Sequence, residues 1–259
     1  MWERYAKTVA DSFTGYWHYL VQDITEPSWH SYFYGLVAVS AFAYALELLF
    51  PWRKDQPRIR RDFWIDGFYM FFNFFLFSLV GYNAVSNVAV EAFADLRNAL
   101  GLESLAIFPV GKWPVLLQLA VMFVLRDFID YWVHRLLHRS RRLWQFHKVH
   151  HSVLQMGFAA HLRFHPMETV IYRFLEYLPL AMMGFGVQEF FFVNMLALAI
   201  GHLNHSNIHL PIGPLRYVLN SPQMHLWHHA RDIPNRYGVN YGLSLSLWDW
   251  IFGTVHWPR

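Results

Sequence analysis

The sequence predicts an all-α integral membrane protein, with about three transmembrane helices plus a short helical hairpin and a cytoplasmic helical cap that is rich in histidine. Three observations lead there. Hydrophobic residues make up 55% of the 259 positions and charged residues 15%, well to the apolar side of a soluble domain. Several apolar runs are long enough to cross the ~30 Å hydrocarbon core of a bilayer at ~1.5 Å per helical residue. Of 16 histidines, only His18, His30 and His256 fall outside two blocks, residues 134 to 165 and 202 to 229.

With no Gly/Ser linker, low-complexity run or internal repeat, residues 1–259 read as a single domain. The net charge of +3 is modest, and no nucleic-acid partner is expected. Cysteine is absent, which excludes disulfides, thiolate zinc sites and conventional iron–sulfur clusters. Any metal must therefore be held by nitrogen and oxygen ligands.

The first 23 residues carry charges every few positions and no signal-peptide core, so they read as an interfacial amphipathic helix of the mature protein. The run "YFYGLVAVSAFAYALELLF" at 32–50 is the first membrane segment and stops at Pro51. Arg53, Lys54, Arg58, Arg60 and Arg61 follow, and a second apolar segment occupies 63–85. By the positive-inside rule the basic loop is cytoplasmic and the N-terminus lies opposite. Residues 86–112 carry only Arg97 and Lys112 as cations and suit an outer connection. A third segment from Trp113 returns the chain to the cytoplasmic side, where both histidine blocks begin. Between the blocks, residues 170–201 hold two apolar runs of about 15 residues each, too short to cross fully and broken by "GFG" at 184–186, which reads as a hairpin that dips in and returns.

In "DFIDYWVHRLLH", Asp127, Tyr131, His134 and His138 share one helical face. His134 and His138 at i and i+4 can chelate one metal, and Asp127 and Asp130 are candidate acceptors for the outward ring N–H groups. "HKVHH" at 147–151 offers His147 and His151 as another i/i+4 pair, with His150 turned aside, a geometry that can feed two metals. "HLWHH" repeats the spacing with His225, His228 and His229. Eight such histidines exceed the three or four ligands of one zinc site. His165 precedes Pro166 at the start of the hairpin and His205 follows its end, so the hairpin is expected to bring them together. His161 and His202 are the alternatives at those two places, and His209 reads as an ordinary interfacial residue.

The set "HRLLH", "HKVHH", "RFHPMET", "NHSN" and "HLWHH", closed by "NYGLSLSLWDWIFGT" at 240–254, resembles the fatty acid hydroxylase and sterol desaturase superfamily. The resemblance runs from about Asp127 to Thr254. "GPLRYVLNSP" is similar to alkylglycerol monooxygenase and its bacterial relatives, and "RFHPMET" to sterol methyl oxidases and many bacterial members. It implies a non-haem centre of two irons, replaceable by zinc on overexpression, that uses O2 to hydroxylate a C–H bond of a membrane lipid such as a fatty acyl chain, sterol or ether lipid. The implied ligands are His134, His138, His147, His150, His151, His165, His205, His225, His228 and His229, with structural roles for Asn240 and Asp249.

No dinucleotide fingerprint or cytochrome-type region is present, so an external electron donor is expected: a reductase, cytochrome or ferredoxin, or the pterin of the alkylglycerol branch. Desaturation by the same centre is the nearest alternative. A non-redox membrane metal-binding or transport protein is disfavoured because the histidines gather at the cytoplasmic ends rather than near the bilayer midplane, and H-E-x-x-H of the zinc hydrolases is absent. The substrate is expected to enter from the bilayer through an aromatic cavity, with Phe68, Phe71, Phe72 and Phe75 as candidate lining residues.

Overall fold

The computed structural model describes residues 2–101, 108–232 and 235–257, and within these it is helical with only isolated β-bridges. Helix α1 (Trp2–Thr25) is amphipathic, with Trp2, Phe13 and Trp17 exposed. Ser31 caps α2 (Tyr32–Leu49) by accepting from the Tyr34 N–H, and Pro51 closes the segment. Helix α3 (Phe63–Phe71) continues through π-helical turns at Phe72–Leu76 and Ser78–Tyr82, kinks at Gly81, and runs on as α4 (Asn83–Ala99). The expected apolar segment ended near residue 85; the helix continues to Ala99 because the outer part of α4 packs against α1. Part of the expected outer connection, residues 102–107, lies outside the described residues.

Pro114 precedes α5 (Val115–Arg139), which carries the first histidines on its last turns. After α6 (Trp144–His147) the chain forms short 3₁₀ turns at His150–Ser152 and Phe158–Leu162. The hairpin is α7 (Pro166–Met183) and α8 (Val187–His205), with Gly184 at φ 100° ending α7 in the left-handed conformation that glycine accepts. These helices have 18 and 19 residues, longer than the apolar runs, because the first turn of α7 and the last turn of α8 carry polar groups into the site. Helices α9 (Pro222–His228) and α10 (Leu247–Ile251) complete the cap.

Among the described residues two helices are long and apolar enough to cross a membrane, Tyr32–Leu49 and Phe63–Ala99. The third expected span, α5, is not one of them; Arg126, Asp127 and Asp130 interrupt its apolar character.

Helix α2 packs on α8, α5 packs on α7 and α8, and the 158–162 turn wedges between α2, α3 and α8. This places Phe158, Ala159 and Leu162 in one core with Leu36, Ala43, Met70 and Phe75. Gly201 permits the wedge: a Cβ there would overlap the His161 ring. Polar clamps hold the irregular segments. Glu47 accepts from the backbone N–H of Phe158 (2.8 Å) and Asn207 (2.7 Å), and buried Asp66 lies between Arg60 and Arg163.

The C-terminal segment is fastened most densely. Asp127 on α5 accepts from Ser244 N (3.0 Å), Leu245 N (3.1 Å) and Trp248 Nε1 (2.9 Å). Asp249 accepts from Tyr241 N and Gly242 N, both at 2.8 Å, and from Thr254 Oγ1 at 2.6 Å. Asn240, at φ 53°, donates to the Met224 and His256 carbonyls and accepts from His256 N. Both residues therefore hold backbone, as expected of them. Replacing Asp127 by alanine leaves three buried donors unpaired, and the expected cost is about 3 kcal/mol or more. Thermal melting in detergent should show a clear loss of stability; an unchanged melting temperature would contradict the anchoring role.

Candidate metal centre

Nine imidazoles converge in two adjoining groups. His134, His138, His147, His151 and His228 form one, and His150, His205, His225 and His229 the other, with the candidate ligand atoms in each group all within 4.8 Å of one another. The repeated H-x-x-H-H units divide crosswise. The i/i+4 pair His147 and His151 joins the first group while His150 joins the second; His225 and His229 join the second while His228 joins the first. Each unit thus contributes to both groups, as its spacing allows.

The atoms that meet are Nε2. His147 Nε2 lies 3.1 Å from His134 Nε2, 3.0 Å from His138 Nε2 and 3.2 Å from His151 Nε2. In the second group His205 Nε2 lies 3.2 Å from His150 Nε2 and 3.1 Å from His225 Nε2, and His225 Nε2 lies 3.2 Å from His229 Nε2. These are not hydrogen bonds throughout, because the outer nitrogens already fix several tautomers. His134 Nδ1 donates to the Tyr241 carbonyl (2.7 Å), His228 Nδ1 to Val239 (2.8 Å) and His205 Nδ1 to Gly201 (2.7 Å). Their Nε2 atoms are then lone pairs that face other nitrogens, and such an arrangement calls for a cation between them. With metal–nitrogen bonds of about 2.1 Å, two ligands at right angles stand about 3.0 Å apart. The observed spacings fit that edge.

Glu168 completes the orientation, its Oε1 lying 2.7 Å from His147 Nδ1 with both side chains buried. A carboxylate in this place fixes ring orientation and raises ligand basicity. Sequence reading passed over Glu168, although it lies three residues after His165 in "RFHPMET". The expectation that Asp127 and Asp130 would accept from the ligand rings is corrected. Asp127 is taken by the C-terminal segment, and Asp130 pairs with Arg126 at 2.8 Å. They share the helical face but sit one and two turns away from His134, about 6 and 10 Å along the axis.

His165 stands apart from both groups. Its Nδ1 accepts from Met167 N at 3.1 Å as the N-cap of α7, and its ring lies 4.9 Å from Phe146. The hairpin does not join it to His205. His161 and His202 pair with each other instead (Nδ1···Nδ1 2.9 Å), and His202 Nε2 lies 3.0 Å from Ser40 Oγ. His209 packs 5.5 Å from Trp52, away from the centre.

Burial disfavours an added proton on His150, His151, His225 and His229, and neighbouring imidazoles add to the effect, holding all four well below the usual histidine range. They therefore stay neutral, the form that binds metal.

A cavity of about 470 Å³ opens onto both groups, with His134, His147, His150, His205 and His225 in its wall. It runs between α5, α7 and α8 toward Arg126, Arg173 and Asn194. Of the four phenylalanines expected to line it, Phe75 does so; Phe68 and Phe71 are exposed and Phe72 lies outside. The π turns explain the shift, since their wider period rotates the inward face onto Phe74, Phe75, Ser78 and Tyr82.

Two groups of imidazoles that could each hold a metal thus stand at the head of a partly apolar cavity in a helical chain. The chain belongs to the fatty acid hydroxylase family, whose sequence model matches residues 119–254. It is 34% identical to ornithine lipid hydroxylase OlsE of Rhizobium tropici over 147 residues, 57% of this chain and 44% of that protein. It is 29% identical to alkylglycerol monooxygenase of Danio rerio over 231 residues, 86% of this chain and 46% of that one. Very-long-chain aldehyde decarbonylase GL1-11 of Oryza sativa subsp. indica is 30% identical over 166 residues, 62% of this chain and 58% of the relative. The chain thus spans between 44% and 58% of the length of these relatives. No solved structure matches it.

Two outcomes test this geometry. Glu168→Gln is expected to weaken metal retention by about 10- to 100-fold, measured by competition with a chelator, while His165→Ala retains the metal content of the parent; the reverse pattern would contradict the grouping. In metal-free protein the histidines take up protons more readily when unfolded, where they titrate near pH 6.5, so the folded state loses stability as pH falls below about 6.5. Chelator-treated protein should melt at a lower temperature at pH 5.5 than at pH 7.5.

Proposed function

We propose that the protein is a multi-pass membrane oxidoreductase that uses O2 and a centre of two irons to hydroxylate a C–H bond of a membrane lipid. The observation that carries this reading is the convergence of nine imidazoles, six of them buried, beside a cavity whose lining is mostly apolar. Membrane insertion is supported by the two long apolar helices and by Phe42, Leu49, Phe68, Val80 and Val85, large apolar side chains exposed on their surfaces. The basic run at residues 53–61 and Arg139, Arg141 and Arg142 beside the histidines favour a cytoplasmic centre.

His134, His138, His147, His151 and His228 would hold one metal and His150, His205, His225 and His229 the other. When bound, the irons supply the activation of O2 that removal of hydrogen from an unactivated carbon requires. The protein's own part is orientation and exclusion. The carbonyls of Tyr241, Val239 and Gly201, with the Glu168 carboxylate, aim lone pairs inward. A set without thiolates offers no sulfur to oxidise. Phe75, Leu162 and Leu198 in the cavity wall keep the approach to the centre apolar, which limits water at the reacting carbon. Electrons come from an external donor, a reductase, cytochrome, ferredoxin or pterin. Zinc competes well for imidazole sites, so metal identity must be controlled. The hydroxylase and monooxygenase names of two relatives support oxidation of a lipid.

Protein from iron-replete cells is expected to contain about two irons per chain and to show reductant-driven O2 uptake stimulated by a lipid extract, with a product heavier by one oxygen in mass spectrometry. His150→Ala should abolish turnover and lower metal content, whereas His209→Ala should leave both nearly intact. Full activity in His150→Ala would overturn the proposal.

A further inference from the structure

The cavity reaches the histidines from one side only. Its wall contains His134, His147, His150, His205 and His225 but neither His138 nor His151. Those two rings are half-buried and meet Trp144 instead. The Trp144 ring centre lies 5.2 Å from that of His138, 5.3 Å from that of His151 and 6.0 Å from that of His147. Trp144 is itself half-buried on α6, so one conjugated ring joins the outer surface to three imidazoles of the first group. The two groups also touch, for the His151 and His229 rings are stacked with their centres 4.4 Å apart. Around Trp144 the charge has one sign. Arg139, Arg141, Arg142 and Lys148 are exposed, and no acidic residue occurs anywhere from Tyr131 to Met167. Lys148 donates to Gln145 Oε1 at 2.7 Å, and the Arg139 guanidinium lies 5.2 Å from the Tyr237 ring centre. Among the described residues neither is spent on a carboxylate. The adjoining loop, with Arg231, Asp232 and Arg236, adds a further net positive charge.

We propose that this face, on the side of the centre away from the cavity, is the electron-entry surface and docks an acidic one-electron carrier protein over Trp144. The inference rests on the oxidoreductase reading and names the kind of donor and where it sits. Hydroxylation places one oxygen atom of O2 in the product and reduces the other to water, which consumes two electrons and two protons. Two encounters with a one-electron carrier are therefore needed per turnover, the carrier losing one electron at each and one ferric iron gaining it. Substrate occupies the cavity at that time, so the donor needs a separate approach, and Trp144 with His138 and His151 provides it. Exposed cations around a half-buried aromatic ring suit a brief encounter. Opposite charge speeds and orients the approach without the large apolar area of a permanent complex. The stacked His151 and His229 rings let a single entry point serve both groups. An anionic bilayer surface would be attracted by the same cations, but that attraction does not account for a conjugated ring laid against three candidate ligands.

Calorimetric titration of the iron-loaded protein in non-ionic detergent with oxidised plant-type [2Fe–2S] ferredoxin, a small acidic carrier, tests docking without turnover. Binding is expected at low salt and should weaken at least about tenfold as salt rises from about 20 to 200 mM, while the basic carrier cytochrome c does not bind. Arg141→Glu combined with Arg142→Glu should weaken ferredoxin binding at least about tenfold and keep the iron content of the parent, which shows that the variant is folded. Should it lose iron, Lys148→Glu carries the test. Trp144→Leu should keep ferredoxin binding and iron content, yet slow several-fold the anaerobic reoxidation of reduced ferredoxin, followed by the ferredoxin's own absorbance; Trp144→Phe should restore the rate. Absence of ferredoxin binding at low salt, or an affinity untouched by charge reversal, would overturn the docking surface. Unchanged reoxidation by Trp144→Leu would overturn the entry residue. Ferredoxin that binds in detergent but not to protein in phosphatidylcholine nanodiscs would place the cations against the bilayer and overturn the proposal as well. Ferredoxin reoxidation without any hydroxylated lipid in mass analysis would leave the surface standing and sink only the lipid reading.

Discussion

The structure depends on the orientation of imidazole lone pairs. Imidazole nitrogens whose lone pairs face one another in a buried site, as those of His134 and His147 do at 3.1 Å, repel one another unless a cation shares them. The fold must therefore supply both the positions and the tautomers. Backbone carbonyls do much of this, and they are held in turn by Asp249, Asn240 and Asp127 around the C-terminal segment. Asp127, two turns before His134 on α5, thus reaches the histidines indirectly, through the strip of backbone that carries the Tyr241 and Val239 carbonyls.

Helical period made much of this visible in the sequence. The H-x3-H pair and the two H-x-x-H-H units could be assigned to shared faces because four residues make about one turn, and the structure brings together the histidines those units contain. The breaks at Pro51, Pro166 and Gly184 were equally plain, since each residue has a backbone reason to stop or start a helix. His165 illustrates where local pattern stops informing. Its position before a proline suits an N-cap, and its Nδ1 accepts from the α7 backbone while neither histidine group includes it. Glu168 was hidden for the opposite reason: only the tertiary approach of α7 to α6 makes it a partner of His147. The phenylalanines of α3 were misplaced by assuming one helical period through a stretch that contains π turns.

The cavity combines two physical regimes. Near the histidines and along Phe75, Leu162 and Leu198 it is suited to hydrocarbon, whereas Arg126, Asp130, Arg173 and Glu176 impose charge about a helical turn or two away. The same α5 face thus steps from Arg126 to Asp130 to His134, which explains why this helix is too polar to match the two apolar spans. Charge within α5 is a cost to membrane insertion, offset in part by the pairs that Arg126 makes with Asp130 and Glu176.

The central claim is that the two histidine groups each bind a metal through imidazole nitrogen. X-ray absorption spectroscopy at the iron edge, on iron-loaded protein with metal quantified in the same sample, addresses it directly. The account predicts about two irons per chain and a scattering pattern dominated by imidazole, four to five rings per iron, as nine histidines divided between two groups require. One iron per chain, or a shell of oxygen with only one or two imidazoles, would contradict it.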